Sequence, residues 1–175
     1  LELAKRGVVD VVLVHARPLE DRYLREGWLI NRRDVMFNDF VVVGPPDDPA
    51  GVRGLTDAAE AFRRIAAAEV RFLSRGDNSG THFREMEIWK AAGIEPRGKW
   101  YLISGKGMGD NLVQASFMGA YTITDRGTFI AMRKNLDLEI VVEGPVKGGD
   151  PALMNPYGIM AVNPARFPDR NYVLA

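Results

Sequence analysis

The stretch "VRFLSRGDNSGTHFREMEIWKAAG", residues 70–93, predicts a strand, a short polar loop and a helix in immediate succession. Residues 70–74 have strand character, the loop "RGDNSG" follows, and "THFREMEIWKAAG" has the composition and spacing of a helix. The same order recurs twice downstream, in residues 99–120 and 121–135. Strands that alternate with helices favour an α/β fold with mostly parallel sheets, in which ligands bind at the carboxyl ends of the strands.

The chain upstream of this stretch adds two strands and two helices, of which the first is a short helix predicted in residues 17–28, "RPLEDRYLREGW". Residues 8–16, "VVDVVLVHA", form a nearly continuous β-branched run that predicts a strand buried on both faces. Residues 34–45 predict a second strand. A helix is expected from Asp57 to Ala68, with Thr56 as its N-cap.

Composition excludes several functions. The 175 residues are 46% hydrophobic and 26% charged, which is typical of a globular protein. Lys plus Arg and Asp plus Glu number 23 each, so no overall charge attracts the chain to nucleic acid. With no cysteine and two histidines, zinc and non-haem iron sites are not expected.

The loop in residues 75–80 has the residues of an anion site. Amide groups in the first turn of a helix lack intrahelical partners, and the helix dipole favours an anion there. Gly76 and Gly80 let the backbone approach a ligand, Ser79 and Thr81 offer hydroxyl donors, and Arg75 supplies a permanent positive charge. Such converging donors suit a small tetrahedral oxyanion.

A second loop of the same kind strengthens this hypothesis. In "SGKGMGDN", Gly107, Met108 and Gly109 precede a helix and can present backbone amides, although the spacing fits neither a P-loop nor a dinucleotide fingerprint. Two such loops in successive strand–helix units are expected to lie side by side at one edge of a sheet.

Other interpretations of the first loop remain. Ser79 or Asn78 could simply cap a helix while Arg75 pairs with Asp77 on the surface. A serine protease is disfavoured, because His82 lacks an evident orienting carboxylate. The Arg-Gly-Asp tripeptide lies between a strand and a helix rather than at a mobile loop tip, which disfavours adhesion.

Residues outside the two loops are assigned structural roles. His15 ends a predicted strand, where a histidine satisfied by neighbouring backbone is the simpler expectation, and Asp125 is expected to cap a helix. Glu85 with Glu87 and Arg63 with Arg64 are expected on solvated helix faces. The aromatic residues expected in the core are Trp89, Trp100 and Phe117.

Five segments together resemble a known family. They are "NRRDVMFNDFVVVGPPDDPAG", "FLSRGDNSGTH", "GMGDNLVQAS", "YTITDRGTF" and "NPYGIMAVNP". In this order they resemble the tungstate-binding substrate proteins of Tup-type bacterial ABC importers, over essentially the whole chain.

The resemblance implies a class II periplasmic-binding-protein fold. Two α/β lobes with mostly parallel sheets are joined by a strand hinge, with residues 1–44 and 144–175 in the first lobe and 45–143 in the second. The opening strand of the first lobe, with its half of the site, is expected upstream of Leu1, and a C-terminal helix is expected to be absent too.

The resemblance also implies a role for each loop. Arg75 and Thr81 correspond to the family's oxyanion contacts, Ser79 and Gly80 lie in the same loop, and Met108 and Gly109 fall where backbone amides complete the site. The implied function is capture of tungstate or molybdate, without a cofactor, by a monomeric, periplasmic or membrane-anchored extracytoplasmic protein that delivers the anion to an ABC permease.

Two other function classes stay open. The same bilobal fold serves as the sensor domain of transcriptional regulators, which predicts a DNA-binding segment upstream of Leu1. An oxyanion-handling transferase would need a general base, for which Asp77 and Asp110 are the nearby candidates.

Overall fold

The computed structural model describes residues 1–170 and divides the chain into two compact units. The first unit consists of residues 1–37 and the described chain from Asn155 onward, and the second consists of Asn38–Met154. The division falls inside one long strand, Leu29–Gly44. The lobe boundaries after residues 44 and 143 stay predictions, and residues 171–175 of the predicted return to the first lobe lie outside the described chain.

Helices and strands alternate along the chain, which confirms the α/β class. The helices are α1 (Glu2–Lys5), α2 (Arg17–Arg25), α3 (Ala58–Ala67), α4 (Gly80–Ala92), α5 (Met108–Met118) and α6 (Arg126–Met132). The strands are β1 (Val11–Val14), β2 (Leu29–Gly44), β3 (Phe72–Ser74), β4 (Tyr101–Ile103), β5 (Thr122–Asp125), β6 (Glu139–Val142) and β7 (Met154–Val162).

The first unit shows that the prediction for residues 8–16 was wrong in two respects. Strand β1 is shorter than predicted, and it pairs antiparallel with β7, with Val11 opposite Ala161. Leu13 is 50% exposed, so the strand is not buried on both faces. The β-branched run reflects strand propensity, which does not by itself require burial.

The sheet of the second unit is parallel in one part only. Strand β3 pairs in parallel with β4, and on its other side Leu73 N donates to Tyr121 O at 2.8 Å, just before β5. Strand β2 runs antiparallel to both β5 and β6. Crossover helices keep β3, β4 and β5 parallel. Within the second unit β2 pairs with β5 and β6, which both run opposite to it, so the expectation of mostly parallel pairing was too general.

Both faces of this sheet are covered. Along β2, Phe40 and Val42 belong to one apolar cluster with residues of α3 and α4, and Val41 and Val43 belong to another with Leu112 of α5 and residues of α6. Because side chains alternate along a strand, this division places two helices on each face. This layered packing holds α4 and α5 on opposite faces of the sheet.

Three local predictions have clear outcomes. Trp89 is fully buried, as expected. Helix α3 is capped by Asp57 and not by Thr56, because the Asp57 carboxylate accepts the backbone N–H of Glu60 at 3.0 Å. Phe117 is 92% exposed, so its placement in the core was wrong; it lies on the face of α5 that points away from the sheet.

Candidate functional site

The carboxyl ends of β3 and β4 lie side by side, and their hydrogen bonding continues into the loops that follow. Ser104 N donates to Ser74 O and Gly105 N donates to Arg75 O, both at 2.9 Å. The two loops therefore run next to each other, which confirms the predicted arrangement. One leads into α4 and the other into α5, so two helix N-termini open at the same edge of the sheet.

The first loop, residues 75–79, depends on two left-handed backbone positions. Gly76 has φ of 60°, and a Cβ atom there would lie 2.3 Å from Cγ2 of Ile103 in the neighbouring strand. Asn78 has φ of 57°, a conformation that asparagine tolerates better than most residues. Glycine is therefore required at position 76 for both its conformation and its close approach to β4.

The N-terminus of α4 is capped by Ser79, whose Oγ accepts the N–H of His82 at 3.3 Å. The backbone N–H of Asn78 donates to His82 Nδ1 at 3.1 Å, so the imidazole supports the loop from within the first turn. Gly80 and Thr81 begin the helix, where backbone N–H groups have no acceptor within the helix. Thr81 is only 4% exposed, and Ser79 and Gly80 are half-buried.

Arg75 is held between the two loops. Its Nε donates to Lys106 O of the second loop at 3.2 Å, and Nη2 donates to Asp77 Oδ2 at 2.5 Å. The other oxygen of Asp77 accepts the N–H of Ser79 at 3.1 Å. The cap and the ion pair of the alternative interpretation are thus both present, and the Asp77 carboxylate lies beside the arginine and the start of α4.

Asp77 is a weak base in this position. Burial alone would raise the pKa of its carboxyl, but hydrogen bonds from Ser79 and the charge of Arg75 outweigh burial and lower the pKa below its ordinary value. A lowered pKa disfavours general-base catalysis near neutral pH. Asp110, the other candidate base, is exposed in the first turn of α5.

The second loop, residues 104–107, forms no such ion pair within the part of the chain that the structure describes. Ser104 Oγ accepts Lys106 N at 3.2 Å and donates to Oδ1 of the buried Asn111 at 2.6 Å. Asn111 Nδ2 in turn donates to Thr122 Oγ1 at 2.9 Å, which ties α5 to β5. Gly107 stands at the N-cap, and the half-buried Met108 and Gly109 form the first turn.

The structure thus brings the six predicted site residues into the first loop and the starts of the two neighbouring helices. The set is Arg75, Ser79, Gly80, Thr81, Met108 and Gly109. Their roles in ligand binding stay a prediction.

Glu85 was misassigned to a solvated face. It is 1% exposed and lies in α4 one turn after Thr81, on a stripe that continues through Ile88 and Ala92. The residues of that stripe lie at positions i, i+4, i+7 and i+11, which form one buried face of a helix. This spacing in the sequence could have predicted that Glu85 is buried. Its partner Ser74, which is fully buried at the end of β3, was also missed.

Two other candidates take structural roles. His15 Nδ1 lies 2.9 Å from Asn155 Oδ1, and its ring stacks on Tyr157 with 4.7 Å between centroids. Asp125 caps α6 as predicted, since its carboxylate accepts the N–H of Thr128 at 2.8 Å.

The match to a family model covers residues 1–175 and describes a PBP superfamily domain. A crystal structure of the tungstate ABC transporter from Geobacter sulfurreducens is 49% identical to the chain, with a TM-score of 0.84, and the match covers 99% of this chain and 72% of that one. The chain belongs to the PBP superfamily, in the same family as this tungstate transporter.

Two curated relatives extend this family assignment. A Haloferax volcanii protein named as a candidate ABC transporter anion-binding protein is 61% identical over 175 residues, and the match covers 100% of this chain. The tungstate-binding protein TupA of Peptoclostridium acidaminophilum is 43% identical over 166 residues, 94% of this chain. The chain spans only 51% and 56% of these two relatives. The names of these relatives are those of binding or transport proteins.

Proposed function

We propose that the chain is part of an extracytoplasmic solute-binding protein that captures tungstate or molybdate through the starts of α4 and α5. The observation that carries the proposal is the convergence of two helix N-termini at one sheet edge with Arg75 held between their loops. Two dipole ends and one guanidinium suit a dianion better than a neutral ligand.

Each predicted residue has a defined task in this proposal. Arg75 has five N–H donors. Two of them bond to Asp77 and Lys106, so the others can reach an oxyanion. Thr81 and Ser79 offer hydroxyl groups from α4. Gly80, Met108 and Gly109 offer backbone amides, and the absence of a Cβ at Gly80 and Gly109 leaves room for the oxygens of the ligand.

The ligand would be bound without covalent chemistry. Backbone amides and hydroxyls replace the water shell of the anion, and Arg75 offsets part of its charge. A tetrahedral anion is fixed by donors from several directions, so the size of the cavity would separate tungstate and molybdate from the smaller sulfate.

The cellular role follows from the family. The Geobacter relative is named as a tungstate ABC transporter, which supports delivery of the bound anion to a membrane permease. In this proposal the binding protein acts as a monomer. Within residues 1–170, no helix is long and apolar enough to cross a membrane. Net charge of zero gives no support for nucleic-acid binding.

Calorimetric titration of the full-length protein with tungstate, molybdate, sulfate and phosphate tests the proposal. We expect tight 1:1 binding of the first two anions and no detectable binding of sulfate at the same concentrations. Equal affinity for all four anions, or no binding of tungstate, would overturn it. A DNA-binding segment in the full-length sequence would favour the regulator instead.

A further inference from the structure

A buried carboxylate lies directly behind the first loop. Glu85 accepts three hydrogen bonds: from Ser74 Oγ at 2.7 Å, from Tyr101 OH at 2.7 Å and from Trp89 Nε1 at 3.1 Å. Tyr101 and Trp89 bond to Oε1, and Ser74 bonds to Oε2. The side chain therefore joins the core of the second unit to the end of β3.

Ser74 extends this contact into the loop. Its Oγ donates to Glu85 and also accepts the N–H of Gly76 at 3.1 Å. Because a carboxylate is only an acceptor, the hydroxyl proton of Ser74 must point at Glu85, which leaves its lone pairs for Gly76. Gly76 is the left-handed residue next to Arg75, so the direction of the hydroxyl helps to fix the turn from which Arg75 projects.

The second loop shows that a carboxylate is not needed for a turn of this kind. Ser104 there accepts the N–H of Lys106 and donates to the neutral side-chain oxygen of Asn111. The Asn111 side chain accepts one hydrogen bond and donates another, whereas the Glu85 side chain accepts three. Burial raises the pKa of Glu85 despite those hydrogen bonds, so the carboxylate is held against a desolvation cost that the second loop avoids.

We propose that Glu85 is a positioning residue of the oxyanion site: acting through Ser74, it fixes the turn at Gly76 and thereby the direction of Arg75. Glu85 itself is buried, and the proposal assigns it no contact with the anion. This inference rests on the proposed function, since it concerns the same site.

Affinity for tungstate measured by calorimetry, on the full-length protein and well below each thermal midpoint, tests the inference. Ser74→Ala removes the link between Glu85 and Gly76, and we expect about a tenfold loss of affinity, the scale of a lost hydrogen bond at a charged site. Glu85→Gln replaces one acceptor oxygen of the carboxylate with an NH2 donor, and we expect the affinity for tungstate to fall by about threefold or more. Tyr101→Phe, the matched control, removes a hydrogen bond from the same carboxylate on the oxygen that does not face Ser74.

The double variant Ser74→Ala/Glu85→Gln separates positioning from general stabilisation. If Glu85 acts through Ser74, the second substitution adds no further loss of affinity. Tyr101→Phe should change the thermal midpoint while its affinity stays within about twofold of the wild type.

Additive losses of affinity in the double variant, or unchanged affinity in both single variants, would overturn the inference. Tighter binding by Glu85→Gln would also overturn it, because it would show that the residue acts only as a repelling charge. If Ser74→Ala does not fold, the contrast between Glu85→Gln and Tyr101→Phe decides the question. A wild-type protein that fails to bind tungstate contradicts the proposed function itself.

Discussion

The two loops at the carboxyl edge of β3 and β4 have the same construction and different electrostatics. In each, a serine at the end of the strand accepts a loop amide and donates to a side chain of the following helix. The first loop uses a buried carboxylate and holds an arginine, whereas the second uses a neutral asparagine. The comparison indicates that the first loop supplies charge and the second supplies neutral donors. The charged loop is held by a buried carboxylate, whereas the neutral loop is held by an uncharged side chain.

The largest expected effect comes from removing the charge of the first loop. Arg75→Ala should weaken tungstate binding by at least about 1.5 and as much as about 3 kcal/mol, the range for a hydrogen bond to a charged group. Calorimetry measures this loss. Arg75→Lys is the matched control, because it keeps the charge and loses the planar fork, and it should retain part of the affinity. An Arg75→Ala protein with unchanged affinity would move the site elsewhere.

Glycine substitutions test whether the first turn is the more constrained. Gly76 and Gly105 both have positive φ, but only at Gly76 does an added Cβ approach another residue, Ile103. Gly76→Ala should therefore lower the free energy of unfolding by about 2 kcal/mol, and Gly105→Ala by about 1 kcal/mol, as expected for left-handed strain alone. Chemical denaturation of both variants measures the difference. Equal losses would show that the contact with Ile103 relaxes freely.

Exchange of the supporting side chains tests whether the loops are interchangeable. Asn111→Asp places a carboxylate behind the second loop and removes the donor to Thr122, so we expect a loss of unfolding free energy of about 1–2 kcal/mol near neutral pH. Asn111→Ser, which is uncharged, is the comparison. If Asn111→Asp is as stable as the wild type, the distinction between a charged and a neutral support is wrong.

The pH dependence of stability should differ in sign between two acids of the first loop region. Burial raises the pKa of Glu85, so its folded state holds the proton more tightly than the unfolded chain does. Stability from this group is complete below the ordinary pKa of about 4.3 and is lost as pH rises through the raised folded value. Against Glu85→Gln, the wild type should lose unfolding free energy as pH rises through this range, with Tyr101 and His82 as the titratable neighbours.

Asp77 should show the opposite trend. Its lowered pKa means that its contribution is present above the ordinary value of about 3.9 and is lost as pH falls through the folded value. Denaturation curves of Asp77→Asn and the wild type between neutral and acid pH measure it. Parallel curves for wild type and both variants would contradict the assigned pKa directions.

Local patterns predicted much of this unit. The loops after β3 and β4, the starts of α4 and α5, and the cap at Asp125 follow from strand runs, glycines and capping residues, which act over a few neighbouring positions. From these patterns, the six candidate site residues were predicted to lie at one edge of the sheet. The antiparallel entry of β2 depends on pairing between distant segments, which such patterns do not specify.

Glu85 and Phe117 show why residue type alone was misleading. A glutamate is normally solvated, but three donors from three elements make its burial possible at position 85. Phe117 is normally buried, but its position on α5 faces away from the sheet. In both cases the helix phase relative to the sheet decides burial, and that phase is fixed by tertiary packing.

An anomalous difference map at the tungsten absorption edge, from crystals of the full-length protein grown with tungstate, tests the central claim most directly. We predict one peak within contact distance of Arg75, Thr81 and the backbone of Gly109. A peak that lies away from the starts of α4 and α5 would contradict the account.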